Sequence, residues 1–440
     1  MTASAASPRW LWLAVPVLSV ASVIAIQRLT APAHDLSPRP PPAVRQTVPS
    51  APASFGAALG RADADLAAAE ARAAERPGEW IFLETLARRR VTRAQLTGSY
   101  DDYAAAQAAL DRAFTLAPAG AGPHLTQAAL HFSLHRLDRA EAALDAIGRY
   151  AAPPGAVERA EALLLRGDIA LYRGDLKGAA SFYRQAEAVE PGPGTAFRWA
   201  VYFMKTGRPA EAERFFDAAL HANPAPTPQF RAGVELQKGA LDLERGQWDR
   251  ALAAFRRADA IFPGHYVIEE HIAETLALKG ETAAAERLYA DIVRRTGHPE
   301  FMDALGELAL KRGDRQAALG WRARAGAEWA RRLRLLPEAA YGHALDHHLA
   351  AGDAIRALEI AERNHAARPN GDSKAQLAEA LLAAGRATDA RHVVEPVLRS
   401  GWETATVHAV ASRVYAAAGE PRLAARERTR ALAMNPHAFD

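Results

Sequence analysis

Hydrophobic residues recur along most of this chain with the spacing of an amphipathic α-helix, in short segments separated by turns. The stretches GDIALYRGDLKGAASFYRQAEAVEP (167–191) and GALDLERGQWDRALAAFRRADAIFP (239–263) align without a gap. Each has the pattern of the end of one amphipathic helix, a short turn and a second amphipathic helix. Repetition of this pattern predicts stacked helical hairpins, because one hairpin alone cannot bury its apolar face.

One register runs through the repeats and is set by the short turn between the two helices. We call its reference position the turn mark, and it falls at Asp101, His135, Gly174, Gly207, Gly246, Gly280, Gly313, Gly352, Gly385 and Gly419. Alanine stands five residues after every turn mark. Glycine at the mark supplies the left-handed backbone that ends a helix. The alanine then lets the second helix cross the first at close range.

Bulky residues and prolines complete the pattern. An aromatic residue follows the alanine by one helical turn at Tyr183, Phe216, Phe255 and Tyr289, and proline ends second helices at Pro118, Pro191, Pro224, Pro263, Pro369 and Pro436. This spacing resembles the tetratricopeptide repeat (TPR) over about residues 79–436. The resemblance implies an all-α fold, a right-handed superhelical solenoid of about ten TPR helix-turn-helix repeats. Hairpins seven and eight depart from the pattern, with Arg322 and Ala361 at aromatic positions.

The N-terminal residues differ from the repeats. Residues 10–26 are an uncharged apolar run, which predicts a transmembrane anchor or a removed signal peptide within residues 1–30, with a buried soluble helix as the third alternative. Residues 31–54 are rich in Pro and Ala and predict an extended linker. Residues 55–78 have the pattern of an N-terminal capping helix in front of a TPR solenoid over 79–440.

Charges around the apolar run leave its orientation open. Arg28, Arg39 and Arg45 follow the run and only Arg9 precedes it, which favours a cytoplasmic C-terminal side. A short head before an apolar run is instead the usual layout of an export signal. We expect export in a bacterial cell envelope, on the basis of the Arg- and Ala-rich composition. The protein would then be a single-pass inner-membrane protein with a periplasmic repeat domain, or would be secreted to the periplasm.

The composition excludes several functions. The chain has no cysteine, which rules out disulfides, thiol catalysis and Cys-bound zinc. A net charge of +3 over 440 residues, without a dense basic run, argues against nucleic acid as a partner. The sequence has no nucleophile elbow, phosphate-binding glycine loop or dinucleotide motif. We therefore expect neither an enzyme nor a cofactor.

The resemblance to TPR proteins implies a scaffold that binds a peptide or protein in its concave groove, which first helices line. The groove positions of hairpins six to nine are mostly acidic: Glu270, Glu274, Glu300, Asp303, Glu307, Asp346, Asp372 and Glu379. We predict that this acidic stripe attracts a basic partner, and the alternative is an ordinary solvated face. Earlier hairpins carry apolar residues there, either a binding patch or core: Leu164, Leu171, Phe197, Val201, Met204, Leu236 and Leu243.

Two histidine-containing stretches are candidate metal sites by composition. His343 and His347 stand one helical turn apart, a spacing compatible with zinc, but no third ligand is evident nearby. The stretch HYVIEEHIAE (265–274) mixes histidines and glutamates without the HExxH order of zinc proteases. We therefore predict no metal site. Two alternatives to an envelope scaffold stay open: a groove that binds a metal or a glycan, and a membrane adaptor facing the cytoplasm.

Overall fold

The computed structural model describes residues 51–440, which form twenty-one α-helices and no β-strand. The helices are α1 Phe55–Glu75, α2 Trp80–Thr97, α3 Tyr100–Leu116, α4 His124–Ser133, α5 Leu137–Ile147, α6 Ala156–Tyr172, α7 Leu176–Val189, α8 Pro193–Lys205, α9 Pro209–His221, α10 Pro228–Glu244, α11 Trp248–Ile261, α12 Tyr266–Leu278, α13 Thr282–Thr296, α14 Pro299–Lys311, α15 Arg315–Leu335, α16 Pro337–Ala351, α17 Ala354–Ala367, α18 Gly371–Ala383, α19 Ala387–Leu398, α20 Ala405–Ala417 and α21 Pro421–Met434. The apolar run at 10–26 and most of the linker at 31–54 lie outside the described residues.

From α2 onward, consecutive helices pair into ten hairpins, and α1 packs against α2 at the start of the stack. The all-helical solenoid of about ten repeats is confirmed. Nine of the ten turns hold glycine with φ between 67° and 88°, and the turn of hairpin two holds His135 at 58°. One turn mark needs correction: the turn of hairpin one is at Gly98, because Asp101 already lies in the first helical turn of α3.

Alanine lies at the interface within every hairpin, and in hairpins three to six a fully buried aromatic residue packs there as well. All ten alanines that follow the turn marks are buried, eight of them completely. A Cβ on Gly167 would come within 2.3 Å of the Tyr183 ring, and a Cβ on Gly239 within 2.4 Å of the Phe255 ring. The small residue on the first helix thus makes room for the ring on the second. Truncating such a ring to alanine costs about 3–5 kcal/mol in a packed core.

Hairpins seven and eight compensate for their departures from the pattern in different ways. Hairpin seven extends its second helix to Leu335 and buries Trp329, while Arg322 at the aromatic position is half-buried. Hairpin eight buries Asn364 completely, and its side-chain amide donates a hydrogen bond to Gln376 Oε1 of the next hairpin at 2.9 Å. A polar core position is tolerated there because its hydrogen bond is satisfied.

The stack is curved, with first helices on its concave side. First helices of successive hairpins pack against each other, as α18 does against α20 and α4 against α6, more closely than successive second helices do. Closer spacing on one side bends the stack toward that side, so first helices line its inner face. Within residues 51–440, none of the helices combines the length and hydrophobicity needed to span a bilayer.

Candidate functional site: the inner face and the seam between superhelical turns

The curvature is tight enough for the solenoid to contact itself after six hairpins. The start of α1 and the turns of hairpins one to five each meet the loop or helix start that lies six hairpins further along, and we call this set of six contacts the seam. In chain order the seam joins Phe55 to Pro263, Gly98 to His298, Arg136 to Glu338, Gly174 to Pro369, Thr206 to Glu403, and Trp248 to His437. The constant offset means that six hairpins complete one superhelical turn and that the next turn rests directly on it.

At hairpin four, the seam is formed by contacts between main-chain groups. Thr206, beside the turn of hairpin four, forms a parallel bridge with Glu403, whose N–H donates to the Lys205 carbonyl at 2.9 Å. A Cβ on Gly207 would lie 2.9 Å from Glu403 Cβ, so glycine permits this approach. A segment without helical structure therefore docks on a hairpin turn largely through its backbone.

A half-buried ion pair lies beneath this contact. Lys205 Nζ lies 2.8 Å from Asp372, whose carboxylate also accepts a hydrogen bond from Trp402 Nε1 at 3.0 Å. Burial would lower the pKa of Lys205, but Asp372 and Glu244 outweigh it and raise that pKa above its usual range. The lysine therefore stays charged and links hairpins four and nine.

Within residues 51–440, the turns of hairpins six to ten have no such neighbour. A Cβ built on any of their glycines would meet nothing within 4 Å: Gly280, Gly313, Gly352, Gly385 and Gly419. We call these five turns the open edge. Next to it, Ile355 at the start of α17 is 86% exposed and Leu319 on α15 is 67% exposed. The open edge thus repeats the geometry of a contact surface and carries exposed apolar side chains.

The predicted acidic stripe lies on the inner face, but none of its eight carboxylates is well exposed. Glu270 and Glu274 are buried, and the other six are half-buried. Several of the six have cationic or hydrogen-bonding partners within the chain: Glu300 pairs with Arg332 (3.2 Å), Asp303 with His347 (2.7 Å), Asp372 with Lys205, and Glu379 with Arg413. Glu307 and Asp346 also interact within the chain. The stripe is therefore largely neutralised from inside, and its binding of a basic partner stays a prediction.

Glu300 shows how strongly other side chains of the protein compensate the negative charge of the acidic stripe. Its carboxylate lies between Arg332 and His298, with His298 Nδ1 at 3.5 Å. Burial by itself would raise the pKa of Glu300, but Arg332 and His298 outweigh it and hold that pKa below its usual range. Arg332 also lies over the ring of Tyr100, 4.8 Å from its centroid, and so ties hairpin seven to hairpin one.

The histidines of α16 take part in packing. His347 Nδ1 lies 2.7 Å from Asp303 Oδ1, and Asp303 also accepts a hydrogen bond from Trp329 Nε1 at 2.9 Å. The His343 ring stacks near Trp329 with 6.2 Å between centroids, and burial lowers its pKa. Within residues 51–440, the group whose metal-ligating atoms converge lies elsewhere, on α12 at Glu270, His271 and Glu274.

The apolar residues of the earlier hairpins belong to the core. Six of the seven are buried and only Met204 is half-buried: Leu164, Leu171, Phe197, Val201, Leu236 and Leu243 are each at most 8% exposed. Of the two interpretations that the sequence left open, the structure supports packing between neighbouring helices. Sequence reasoning did not find the seam, because it joins loops that carry no repeat signal.

Comparisons with known proteins bear on the fold alone. No protein-family model matches the sequence, and no curated protein matches it. The chain is similar to a tetratricopeptide repeat protein from Parabacteroides merdae, with 18% identity, 55% of this chain and 93% of that chain covered, and a TM-score of 0.34. It is also similar to PilW, a type IV pilus biogenesis factor, with 24% identity, 47% of this chain and 92% of that chain covered, and a TM-score of 0.38. The similarity to the Cut9–Hcn1 structure has 15% identity, covers 88% of this chain and 82% of that chain, and has a TM-score of 0.38. These TM-scores are below 0.5, so the similarities carry no argument about function.

Proposed function

We propose that the protein is a non-enzymatic scaffold that binds an extended segment of a partner protein along its open edge. The observation that carries the proposal is the seam. Hairpin turns one to five each hold a loop of this same chain, whereas the equivalent turns of hairpins six to ten are open. A surface that already binds extended backbone in one half of the molecule is suited to bind it in the other half.

The seam also indicates the chemistry of the partner segment. The loops that dock on turns three and five contain Pro369–Asn370 and Asn435–Pro436, and the loop on turn four is extended at Glu403. A surface that binds main-chain groups favours a segment that is already extended and contains proline, because such a segment loses little conformational entropy when it docks. Ile355 and Leu319 would add apolar contacts beside the turns. We therefore expect an extended, proline-containing segment with at least one apolar side chain.

The concave groove is the second place where a partner segment could bind, and the internal ion pairs weigh against it. Four of the carboxylates that would attract a basic segment already have a lysine, arginine or histidine partner. Binding a basic peptide there would require breaking these pairs, which costs more when the groups are half-buried than when they are exposed. The open edge requires no such exchange.

A site-specific photocross-linker tests the choice between the two surfaces. Placed at Ile355, it should cross-link a partner through a defined extended segment, and a synthetic peptide of that segment should bind the purified chain. Ile355→Glu should weaken binding at least about tenfold, equivalent to about 1.4 kcal/mol. Lys177→Glu is the matched control, because it changes the equivalent position of hairpin three. Unchanged binding in the Ile355 variant, or cross-links only from an inner-face position such as Asp346, would reject the open edge.

We also propose that the apolar run at 10–26 holds the scaffold at a membrane on its exported side. The support is the length and lack of charge of the run. Protease added to intact spheroplasts should digest the repeat domain, and alkaline washing should leave the protein in the membrane fraction. Protection from the protease would place the repeats in the cytoplasm, and release by washing would favour a cleaved signal peptide.

A further inference from the structure

A buried polar cluster lies on α12, the first helix of hairpin six. Glu270, His271 and Glu274 are 3%, 2% and 2% exposed. One potential ligand atom from each lies within 4.8 Å of those from the other two. Residues four apart lie on one helical face, so the two carboxylates are one turn apart and point the same way. Three groups that commonly ligate metals thus meet in one buried place.

Within residues 51–440, several polar atoms of this cluster have no hydrogen-bond partner. His271 Nδ1 contacts Glu270 Oε2, but Glu270 Oε1, Glu274 Oε2 and His271 Nε2 are buried without a hydrogen-bond partner. A carboxylate removed from water costs several kcal/mol unless a cation or hydrogen bonds compensate it. The cluster therefore lacks at least one positive charge or proton that residues 51–440 do not supply.

Other buried carboxylates of residues 51–440 have the compensation that this pair lacks. Asp102, Asp168, Asp242 and Glu427 each form an ion pair with at least one arginine. Asp168, for example, lies 2.7 Å from Arg198 Nε and accepts a hydrogen bond from the Tyr183 hydroxyl at 2.8 Å. Among the described residues, Glu270 pairs with His271 alone and Glu274 forms no ion pair. The fold thus places an arginine beside buried carboxylates elsewhere, and not here.

We propose that Glu270, His271 and Glu274 bind one divalent transition-metal ion of the zinc type. Two carboxylate oxygens and an imidazole nitrogen are ligands that zinc accepts, and the dication provides the positive charge that neutralises the two carboxylates. Ca²⁺ and Mg²⁺ fit less well, because they take six or more oxygen ligands or retain several waters. The Phe255 ring meets the His271 ring edge-on, with 5.1 Å between centroids, and so helps to fix the imidazole.

This inference goes beyond the proposed scaffold function and gives two residues of the acidic stripe a different role. Glu270 and Glu274 would hold an ion inside the stack rather than contact a partner. A bound ion would stabilise hairpin six at the point where the first superhelical turn closes on α1. Partner binding at the open edge does not depend on it, so the two proposals can fail separately.

The test uses the full chain, stripped of metal with EDTA and then titrated with Co²⁺ or Zn²⁺. We expect one tightly bound ion per chain by calorimetry, visible Co²⁺ absorption bands typical of low coordination number, and a higher melting temperature with Zn²⁺. Glu274→Gln and His271→Gln should each weaken binding at least about tenfold. His131→Gln, at a buried histidine of α4, is the matched control and should bind as the unchanged chain does.

Two results would overturn the proposal. The first is a stripped, folded chain whose Co²⁺ spectrum stays that of the aqueous ion, a measurement that needs no variant and so does not depend on how a variant folds. The second is equal ion binding by the unchanged chain and by Glu274→Gln. A chain that binds no ion but melts at a higher temperature as Glu274→Gln would assign the pair to a shared proton instead.

Discussion

The turns of hairpins one to five and those of hairpins six to ten have the same backbone and different surroundings. Both sets place glycine at positive φ, 77° at Gly174 and 74° at Gly385. A Cβ on Gly174 would lie 3.1 Å from the Pro369 carbonyl oxygen, whereas a Cβ on Gly385 would meet nothing within 4 Å. The repeat pattern therefore fixes the local turn in both halves, and superhelical winding alone distinguishes them.

This comparison separates two roles that glycine at the turn mark can have within a single chain. In the second half, glycine is needed only because the turn has a left-handed conformation. At Gly174 and Gly207 in the first half it is also needed because another segment passes where a side chain would stand, whereas the turn of hairpin two accommodates His135. The difference predicts which substitutions affect only a turn and which also affect the contact between superhelical turns.

The largest difference in stability should come from replacing glycine with alanine at one turn of each set. Gly207→Ala and Gly385→Ala share the strain of a positive φ, about 1–2 kcal/mol. Gly207→Ala must also move Glu403, whose Cβ would be 2.9 Å away, and such overpacking adds about 1–3 kcal/mol. Urea unfolding of both variants measures the difference. Equal losses of stability would mean that the seam contributes nothing at hairpin four.

A pH profile tests the seam next to α1, where the His265 ring lies 5.3 Å from the Phe55 ring. Burial lowers the pKa of His265 to about 4, against about 6.5 for a free histidine. Between these values the unfolded chain binds a proton that the folded chain does not, so stability falls as pH drops from about 6.5 to about 4, by up to about 3 kcal/mol.

His265→Gln should therefore flatten the pH dependence of the free energy of unfolding over that window. His392→Gln, at an exposed position of α19, is the control and should keep the profile of the unchanged chain. If the His265 variant and the control lose stability equally on acidification, the histidine is not buried against α1 in solution.

A smaller effect is expected from the ion pairs. Lys205→Met removes the cation beside Asp372 beneath the seam and leaves a half-buried carboxylate with the Trp402 hydrogen bond but no lysine partner, at a cost of about 1–3 kcal/mol. Arg386→Met removes an exposed pair with Asp389 at the open edge, which is worth at most about 0.5 kcal/mol. Thermal or urea unfolding should rank them in this order, and the reverse order would contradict the seam as described.

The smallest effect on stability should come from Ile355→Glu. The side chain is 86% exposed, so the free energy of unfolding should change by no more than about 0.5 kcal/mol. The same variant is expected to lose partner binding, and this separates a surface role from a structural one. A large loss of stability would show that Ile355 packs against the rest of the chain.

The sequence predicts the local repeat well and the winding poorly, for physical reasons. Turn glycines and the alanines that follow them recur because every hairpin has the same internal contacts. The seam joins residues such as Lys205 and Asp372, 167 apart, and His135 and Arg368, 233 apart. No periodic spacing links these pairs, and their loops differ in sequence, so the pattern contains no signal for them.

For the acidic stripe too, the sequence predicts what depends on position within one hairpin and not what depends on contacts between distant elements. Its placement on the inner face could be predicted, because it depends on position within the hairpin. Its neutralisation could not, because the compensating groups come from other elements: Arg332 from an unusually long second helix, and Lys205 from a hairpin in the turn below. Burial of Glu270 and Glu274 without an arginine was equally invisible in the sequence, since it depends on which neighbours are missing.

The central claim is that the solenoid rests on itself after six hairpins, and a cross-link tests it most directly. Arg331 Nη1 lies 3.2 Å from Asp101 Oδ1 although the two residues are 230 apart in sequence. The chain has no native cysteine, so Asp101→Cys with Arg331→Cys gives one reactive pair. Glu328→Cys with Arg331→Cys, within one helix, is the positive control. A short bis-maleimide should join both pairs within single molecules at high dilution, and reaction of the control pair alone would contradict the seam.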